Sequence, residues 1–214
     1  MSRHKIIDIR HLTDSTYVLR LERNGMNFQT GQFIMLGPEK LIEQREYSVY
    51  SGEKDDYLEV LIREVEMGSI SKQLKHLKPG EEIRVDGPFG FFKFHPGMFP
   101  SDKFLFIATG TGISPFHSFV RTHPDLDYRL IHGVRYTHEA YEHHDFVRSK
   151  VTLCTTGDSN GDFEGRVTDY LFTQKVDAGT NCFLCGNSEM IQEMFDILTA
   201  KGVSVSNIYS EVYF

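Results

Sequence analysis

The strongest constraint on this chain is a change of hydrophobic rhythm near residue 100. Before it lie six short runs rich in Val, Ile, Tyr and Phe: "KIIDIRHL", "TYVLRLER", "GQFIMLG", "REYSVYS", "YLEVLIREV" and "EEIRVDGP". Turn signals such as "NGMN", "GPEK", "GEKDD" and "LKPG" separate them. "TYVLRLER" and "EEIRVD" alternate apolar and polar residues, the period of a half-buried strand. Six strands at this spacing, interrupted once by the helical segment "GSISKQLKHL", predict a small antiparallel barrel.

After "HPGMFPSDK" (residues 95–103), which reads as a linker, strands alternate with helices. "KFLFIATG", "YRLIHGV", "VTLCTT", "NCFLCGN" and "VSNIYSEVY" read as strands. "SPFHSFVRTH", "THEAYEHHDFVR", "RVTDYLFT" and "SEMIQEMFDILTAKG" read as helices. Alternation of this kind means crossover units and a parallel sheet. In the last helix Met190, Ile191, Met194, Phe195 and Leu198 form one apolar stripe, and Gly202 ends it. The expected organisation is a barrel domain over residues 1–97 and a nucleotide-binding α/β domain over 103–214.

Composition narrows the class. The 214 residues carry a net charge of −7, with the acidic excess in the second half and no basic tract for nucleic acid. No apolar run approaches the ~20 residues of a membrane span. The charged start, "MSRHKIIDIRHL", does not read as a signal peptide, so a cytoplasmic location is expected. Three cysteines are too few for a disulfide framework or for a four-thiolate iron–sulfur cluster, and no metal site is expected. Cys182 and Cys185 lie three apart on a strand, which points them to opposite faces.

Two segments carry chemistry. "ATGTGISP" follows a strand and opens a helix, the place where an α/β sheet receives phosphates; Gly110, Gly112 and Pro115 set its turn. It lacks the Gly-Lys-Ser/Thr of a Walker loop. "FLCGNSEM" repeats the geometry and brings Cys185 and Gly186 to the same crevice. In the first half, "REYS" puts Arg45 and Tyr47 on one strand face beside Ser48: a phosphate clamp, a flat ring and a hydroxyl. "MGSISKQL" adds a helix start whose amides at Gly68, Ser69, Ile70 and Ser71 suit an anion.

The ordered set "GQF", "REYS", "GSIS", "DGPFG", "GTGISP", "HGVR", "GRVTDYL", "LCGN" and terminal "EVYF" resembles the ferredoxin–NAD(P) reductase family, above all its compact bacterial members. The resemblance implies a flavin-binding barrel, FAD as cofactor, NADPH or NADH as substrate, and a ferredoxin or flavodoxin as electron acceptor. It implies that Arg45 and Gly68–Ser71 hold the FAD pyrophosphate, that Tyr47 and Tyr213 cover opposite flavin faces, and that Ser48 bonds near the hydride-accepting nitrogen. Gly110, Thr111, Gly112 and Pro115 would meet the nicotinamide nucleotide. Cys185 and Gly186 would line the nicotinamide slot, Glu211 would serve at the reactive edge, and Phe214 would pack toward the adenine. In NADPH-using relatives a Ser/Thr-Arg pair often follows the third strand; here "CTTGDSNGDFEG" offers three acids and no arginine, which leaves Arg135 of "HGVR" as a candidate for a 2′-phosphate, with Arg166 near, and the choice between NADH and NADPH open. The alternatives are the reductase component of a multicomponent oxygenase and a non-catalytic nucleotide-binding module.

Overall fold

The computed structural model describes residues 2–39, 41–99 and 101–213. It divides into two compact units: residues 1–94 with 114–122, and residues 95–113 with 123–214.

The first unit holds a six-stranded antiparallel sheet ordered β4-β3-β6-β1-β2-β5, with β1 Ser2–His11, β2 Thr16–Glu22, β3 Phe33–Pro38, β4 Arg45–Ser48, β5 Tyr57–Arg63 and β6 Glu82–Phe89. All six expected strands form. The two edges meet through a bridge between Val49 and Val60, and the Tyr50 amide donates to the Glu59 carbonyl at 2.7 Å. Alternation explains the closure: Leu19, Leu21, Ile34, Leu36, Val60, Ile62, Ile83 and Val85 all point into one core. Helix α1 (Ser69–Lys75) adds Ile70 and Leu74 to it.

Helix α2 (Ser114–Thr122) belongs to this unit, although it directly follows the glycine turn in sequence. His117 Nδ1–H donates to the Tyr50 carbonyl at 2.7 Å while its ring stacks on Tyr50 at 3.7 Å. Thr30 donates to Ser118 Oγ, which donates to the Ser51 carbonyl, each at 2.7 Å. Such satisfied buried polar groups fix one packing arrangement.

The second unit is built on a parallel sheet ordered β10-β9-β8-β7-β11-β12, with β7 Phe104–Thr109, β8 Tyr128–Val134, β9 Val151–Thr155, β10 Phe163–Glu164, β11 Asn181–Gly186 and β12 Ile208–Val212. Leu105, Ile107, Cys182 and Leu184 face helices α3 (Val167–Thr173) and α4 (Ser188–Ala200). On the other face Phe104, Phe106, Phe183 and Tyr209 pack with Phe99 and Tyr128, Phe183 stacking on Tyr209 at 4.7 Å. Strand β10 was not foreseen: two residues carry no periodicity.

Two sequence expectations fail. The segment "THEAYEHHDFVR" holds two 3₁₀ turns, Thr137–Glu139 and His143–Asp145, with a third, Arg148–Lys150, starting at its last residue, instead of a helix. Glu142 breaks it with φ +45°, and Glu139, which accepts the Arg135 and Tyr136 amides, caps only the first short turn. In α4, Met190, Ile191, Met194 and Leu198 are buried, but Phe195 is partly exposed at the edge of the stripe.

Candidate functional site

In the first unit, Tyr17 links the two segments singled out in sequence. Its hydroxyl donates to the Ser71 carbonyl at 2.5 Å, and its ionisation is opposed by burial first and then by Tyr47 close by. "REYS" and the start of α1 are therefore neighbours. Tyr47 lies opposite Ile34 in the β3–β4 ladder and leans on the barrel core; burial pushes its phenol up to about 12, against the pull of Arg45, so it stays neutral. Arg45 is exposed and donates to the Gln44 carbonyl. Ser48 is 4% exposed at the point where β4 turns into the closing bridge.

Gly68 caps α1 without a side-chain bond, and the first turn carries no acid. Ser69 is exposed; Ser71 is buried, with its Oγ accepting the Val65 amide at 3.1 Å. Ser71 thus secures the loop before the helix, while the helix amides keep no carboxylate against them. An exposed guanidinium, uncapped amides and a neutral aromatic ring form a donor set that fits a diphosphate and a flat ring system.

In the second unit, two strand ends lock together. A Cβ on Gly112 would sit 2.3 Å from the Cys185 carbonyl oxygen, and one on Gly186 would sit 2.1 Å from Thr109 Oγ1. The turn Gly110–Ile113 and the end of β11 pack backbone to backbone for that reason. Gly110 adopts φ +54°, and no heavy atom lies within 4 Å of where its Cβ would be, so its outer side is open to a ligand backbone-close. That open glycine beside a strand's carboxyl end fits the phosphates of a nucleotide.

Strand β12 completes this edge. Cys185 pairs with Glu211 and Gly186 with Val212; the Tyr213 amide then donates to the Gly186 carbonyl at 2.8 Å. Cys185 is fully buried. Burial pushes its thiol well up, Glu211 adds to the rise, and the Tyr213 side chain close by pulls it back. Tyr213 thus turns its hydroxyl inward. Phe214 lies outside the described residues.

Arg135 follows β8, exposed, with its guanidinium 5.3 Å over the Tyr136 ring. In the loop after β9, Asp158 accepts the Thr137 amide and hydroxyl, each at 2.7 Å, which with the Asn160 amide holds its carboxyl low. Asp162 accepts the Leu153 amide at 2.8 Å and pairs with Arg148. Two of the loop's acids are therefore spent on the loop itself. Pro115 lies in α2, with the first unit.

Sequence reasoning missed two participants. Tyr17 looked like one more aromatic on an alternating strand. His132, quoted only as part of "HGVR", is fully buried and bonds both His143 and the Gly110 carbonyl. Only the oddity of a histidine between Ile131 and Gly133 in an apolar strand could have flagged it.

Among the described residues, no helix is long and apolar enough to cross a membrane. The oxidoreductase FAD-binding domain profile matches residues 4–94, and the oxidoreductase NAD-binding domain profile matches residues 106–195. The ferredoxin–NADP reductase of Pseudomonas aeruginosa is 29% identical, over 94% of this chain and 90% of its own. The toluate 1,2-dioxygenase electron transfer component of Pseudomonas putida is 28% identical, over 97% of this chain and 66% of its own. A crystal structure of a ferredoxin NADP+ reductase from Neisseria gonorrhoeae with bound FAD and NADP superposes with a TM-score of 0.89 at 25% identity, covering 100% of this chain and 98% of that one. An FAD-binding oxidoreductase domain followed in order by an NAD-binding one, on these two folds and with these relatives, makes this chain a member of the ferredoxin–NAD(P) reductase family.

Proposed function

We propose that this chain is a flavoenzyme that passes a hydride from NAD(P)H to FAD and then single electrons to a small carrier protein of the ferredoxin or flavodoxin kind. The carrying observation is the succession of FAD-binding and NAD-binding oxidoreductase domains in one chain. FAD, when bound, supplies the two-electron to one-electron conversion; the protein supplies binding, orientation and electrostatics.

In this reading Arg45 and the amides of Gly68, Ser69, Ile70 and Ser71 hold the flavin's diphosphate. Tyr47, neutral and half-buried, offers a flat face to the ring system. Ser48 holds a hydrogen bond at the ring's reactive edge. Gly110, Thr111, Gly112 and Pro115 receive the nicotinamide nucleotide, Arg135 its 2′-phosphate where present, and Cys185 with Gly186 line the slot for its ring. Glu211 positions charge at that edge, and Tyr213 covers the second flavin face until the nicotinamide takes its place.

The acceptor is an acidic carrier, drawn to cations on the barrel side in the neighbourhood of Arg45, Lys72 among them. Lys75 contributes less, because it is paired with Glu64 at 2.8 Å. Steering of this kind weakens with salt, so carrier reduction is expected to slow as ionic strength rises. A second reading, the reductase component of an oxygenase, is favoured by the likeness to the toluate dioxygenase component over nearly the whole chain.

The test is the visible spectrum of the purified protein, followed by anaerobic addition of NADPH or NADH. The expected result is a flavin band that one nucleotide bleaches faster. A protein that takes up neither FAD nor FMN, or a flavin that neither nucleotide reduces, overturns the proposal.

A further inference from the structure

Strand β8 carries His132 into the middle of the second unit's sheet. Its Nε2 lies 2.8 Å from the Gly110 carbonyl oxygen and its Nδ1 lies 2.8 Å from His143 Nε2. A carbonyl oxygen can only accept, so His132 carries its proton on Nε2. A neutral ring then offers a lone pair at Nδ1, and His143 donates its Nε2–H to it. Both rings are held neutral. Burial, with His143 adding, pushes His132 down to about 3 against the opposing Gly110 bond. Burial, with Arg148 adding and Asp162 opposing, pushes His143 down to about 4. The other rings facing the pair, Tyr141 at 6.2 Å from His132 and Phe146 at 6.1 Å from His143, are uncharged.

We propose that His143 and His132 form a positioning relay that fixes the Gly110 peptide plane and so orients the glycine turn to receive the diphosphate of the nicotinamide nucleotide. The proposal rests on the reading of that turn as the nucleotide site. A trans peptide is planar, with its C=O and the following N–H pointing opposite ways. With the Gly110 carbonyl drawn to His132, the Thr111 N–H is directed to the other side. A flipped plane would present an oxygen to the phosphates where a donor is needed. Gly110 is where a flip meets least resistance: it sits at φ +54° with nothing within 4 Å of a Cβ position. The restraint that glycine lacks comes from the histidine. The Gly110 carbonyl fixes the tautomer, and the His143 Nε2–H fixes the ring's orientation by occupying the remaining Nδ1 lone pair. Without His143 that buried lone pair loses its donor and the ring is free to turn away from the Gly110 oxygen. Neither ring touches substrate; both act through the turn.

The first measurement is the ¹⁵N spectrum of the histidine rings in the wild-type protein at pH 7. Neutral rings with Nε2–H are expected for both residues, and a charged or Nδ1–H pattern for His132 overturns the relay without any variant. Calorimetric titration of the flavin-loaded protein with NADP+ and NAD+ is the second measurement. His132→Leu is expected to weaken binding about tenfold, the worth of one lost charge-oriented hydrogen bond, with the limiting rate of flavin reduction within about twofold and flavin content unchanged. His132→Gln keeps a donor at the same reach and is expected to bind within about threefold of wild type. His143→Phe is expected to fall between them, with the His132 proton still on Nε2. A Leu variant as tight as wild type overturns the relay and leaves the proposed function standing. Wild-type protein that binds neither nucleotide overturns the proposed function and removes the relay's purpose with it. If the Leu variant does not fold, His143→Phe still decides: unchanged affinity overturns the relay.

Discussion

Gly112 presses its backbone against the Cys185 carbonyl so closely that a Cβ there would meet the oxygen at 2.3 Å, the carbonyl carbon at 2.7 Å and the Gly186 nitrogen at 2.9 Å. All three atoms are backbone, so none can swing aside. Gly112→Ala is therefore expected to push the glycine turn off the end of β11. It should cost about 1–3 kcal/mol, as overpacking does, and weaken nicotinamide nucleotide binding with flavin content intact. Gly110→Ala is the control for stability alone: its neighbourhood within the protein is open, and only the left-handed backbone resists, at roughly 1–2 kcal/mol. Thermal melts of both variants and nucleotide titrations of Gly112→Ala read this out. A Gly112→Ala protein that melts with wild type and binds equally well would dismiss the close approach as a constraint.

The buried histidine pair makes stability depend on pH in a direction that can be fixed. His132 and His143 titrate at about 3 and about 4 in the folded protein, below the ordinary 6.5. As pH falls, the unfolded chain takes up these protons first, so stability is full above 6.5 and is lost progressively toward the folded values. At pH 5 the loss is on the order of 2 kcal/mol per histidine. Asp158 and Asp162 are also held low, but their share is lost only near and below the carboxylate range, outside this window. Urea unfolding at pH 7 and pH 5 should show a steep loss for wild type and a shallower one for the His132→Gln, His143→Gln double variant. Equal losses would mean that the pair is not held neutral.

What the sequence could tell was set by how local each signal was. Six strands were legible because alternation repeats within each, and "REYS" and "GTGISP" because a cation, a ring or a glycine in that place has few other uses. The barrel's closing bridge from Val49 to Val60 was not, since it depends on the summed twist of six strands. Tyr17 reaches Ser71 across 54 positions, and no spacing rule connects them. "THEAYEHHDFVR" has a helical composition, yet Asp158 takes the amide of its first residue and Glu142 turns the backbone to φ +45° in its middle, which no local pattern announces. The histidine relay escaped for the same reason: His143 lay in the segment expected to be a helix, and only the turns bring it to His132.

Barrel stability should hinge on Glu59. It is 2% exposed, and its Oε1 accepts from Arg20 Nε at 2.8 Å and from Arg10. Removing the acid leaves two guanidiniums, each about one-third exposed, without their shared partner. Glu59→Ala is expected to cost ~3 kcal/mol, the low end for breaking a buried pair because the arginines retain some water. Denaturant titration checks this. A loss below about 1 kcal/mol would place Glu59 among ordinary surface pairs.

Ser48 separates binding from chemistry. It is buried at the end of β4, where the strand enters the closing bridge. If its hydroxyl holds a hydrogen bond at the flavin's reactive edge, Ser48→Ala leaves flavin content unchanged and slows flavin reduction by NAD(P)H about tenfold or more. Stopped-flow bleaching at saturating nucleotide measures the step directly. A wild-type rate in the alanine variant removes Ser48 from the mechanism.

The chain's end should act as a cover over Cys185. That thiol is fully buried, and burial holds it protonated far above the range of a free cysteine, so it should resist alkylation at pH 8. The cover is local. Glu211 pairs with Cys185 across β11–β12, and Tyr213 follows, its amide on the Gly186 carbonyl and its hydroxyl buried. Cys154 and Cys182 are buried too, inside the core against α3 and α4, where the terminus has no hold on them. Ending the chain at Val212 should therefore unmask one thiol of the three. Iodoacetamide labelling read by mass spectrometry is expected to modify Cys185 in the truncated protein many times faster than in the full chain, with Cys154 and Cys182 unchanged in both. The same truncation should alter affinity for NADP+ or NAD+, because the ring that leaves is the one proposed to compete with the nicotinamide. Uniform acceleration at all three cysteines would mean that the truncation loosens the whole unit. Unchanged labelling together with unchanged nucleotide affinity would reduce Tyr213 to a packing residue.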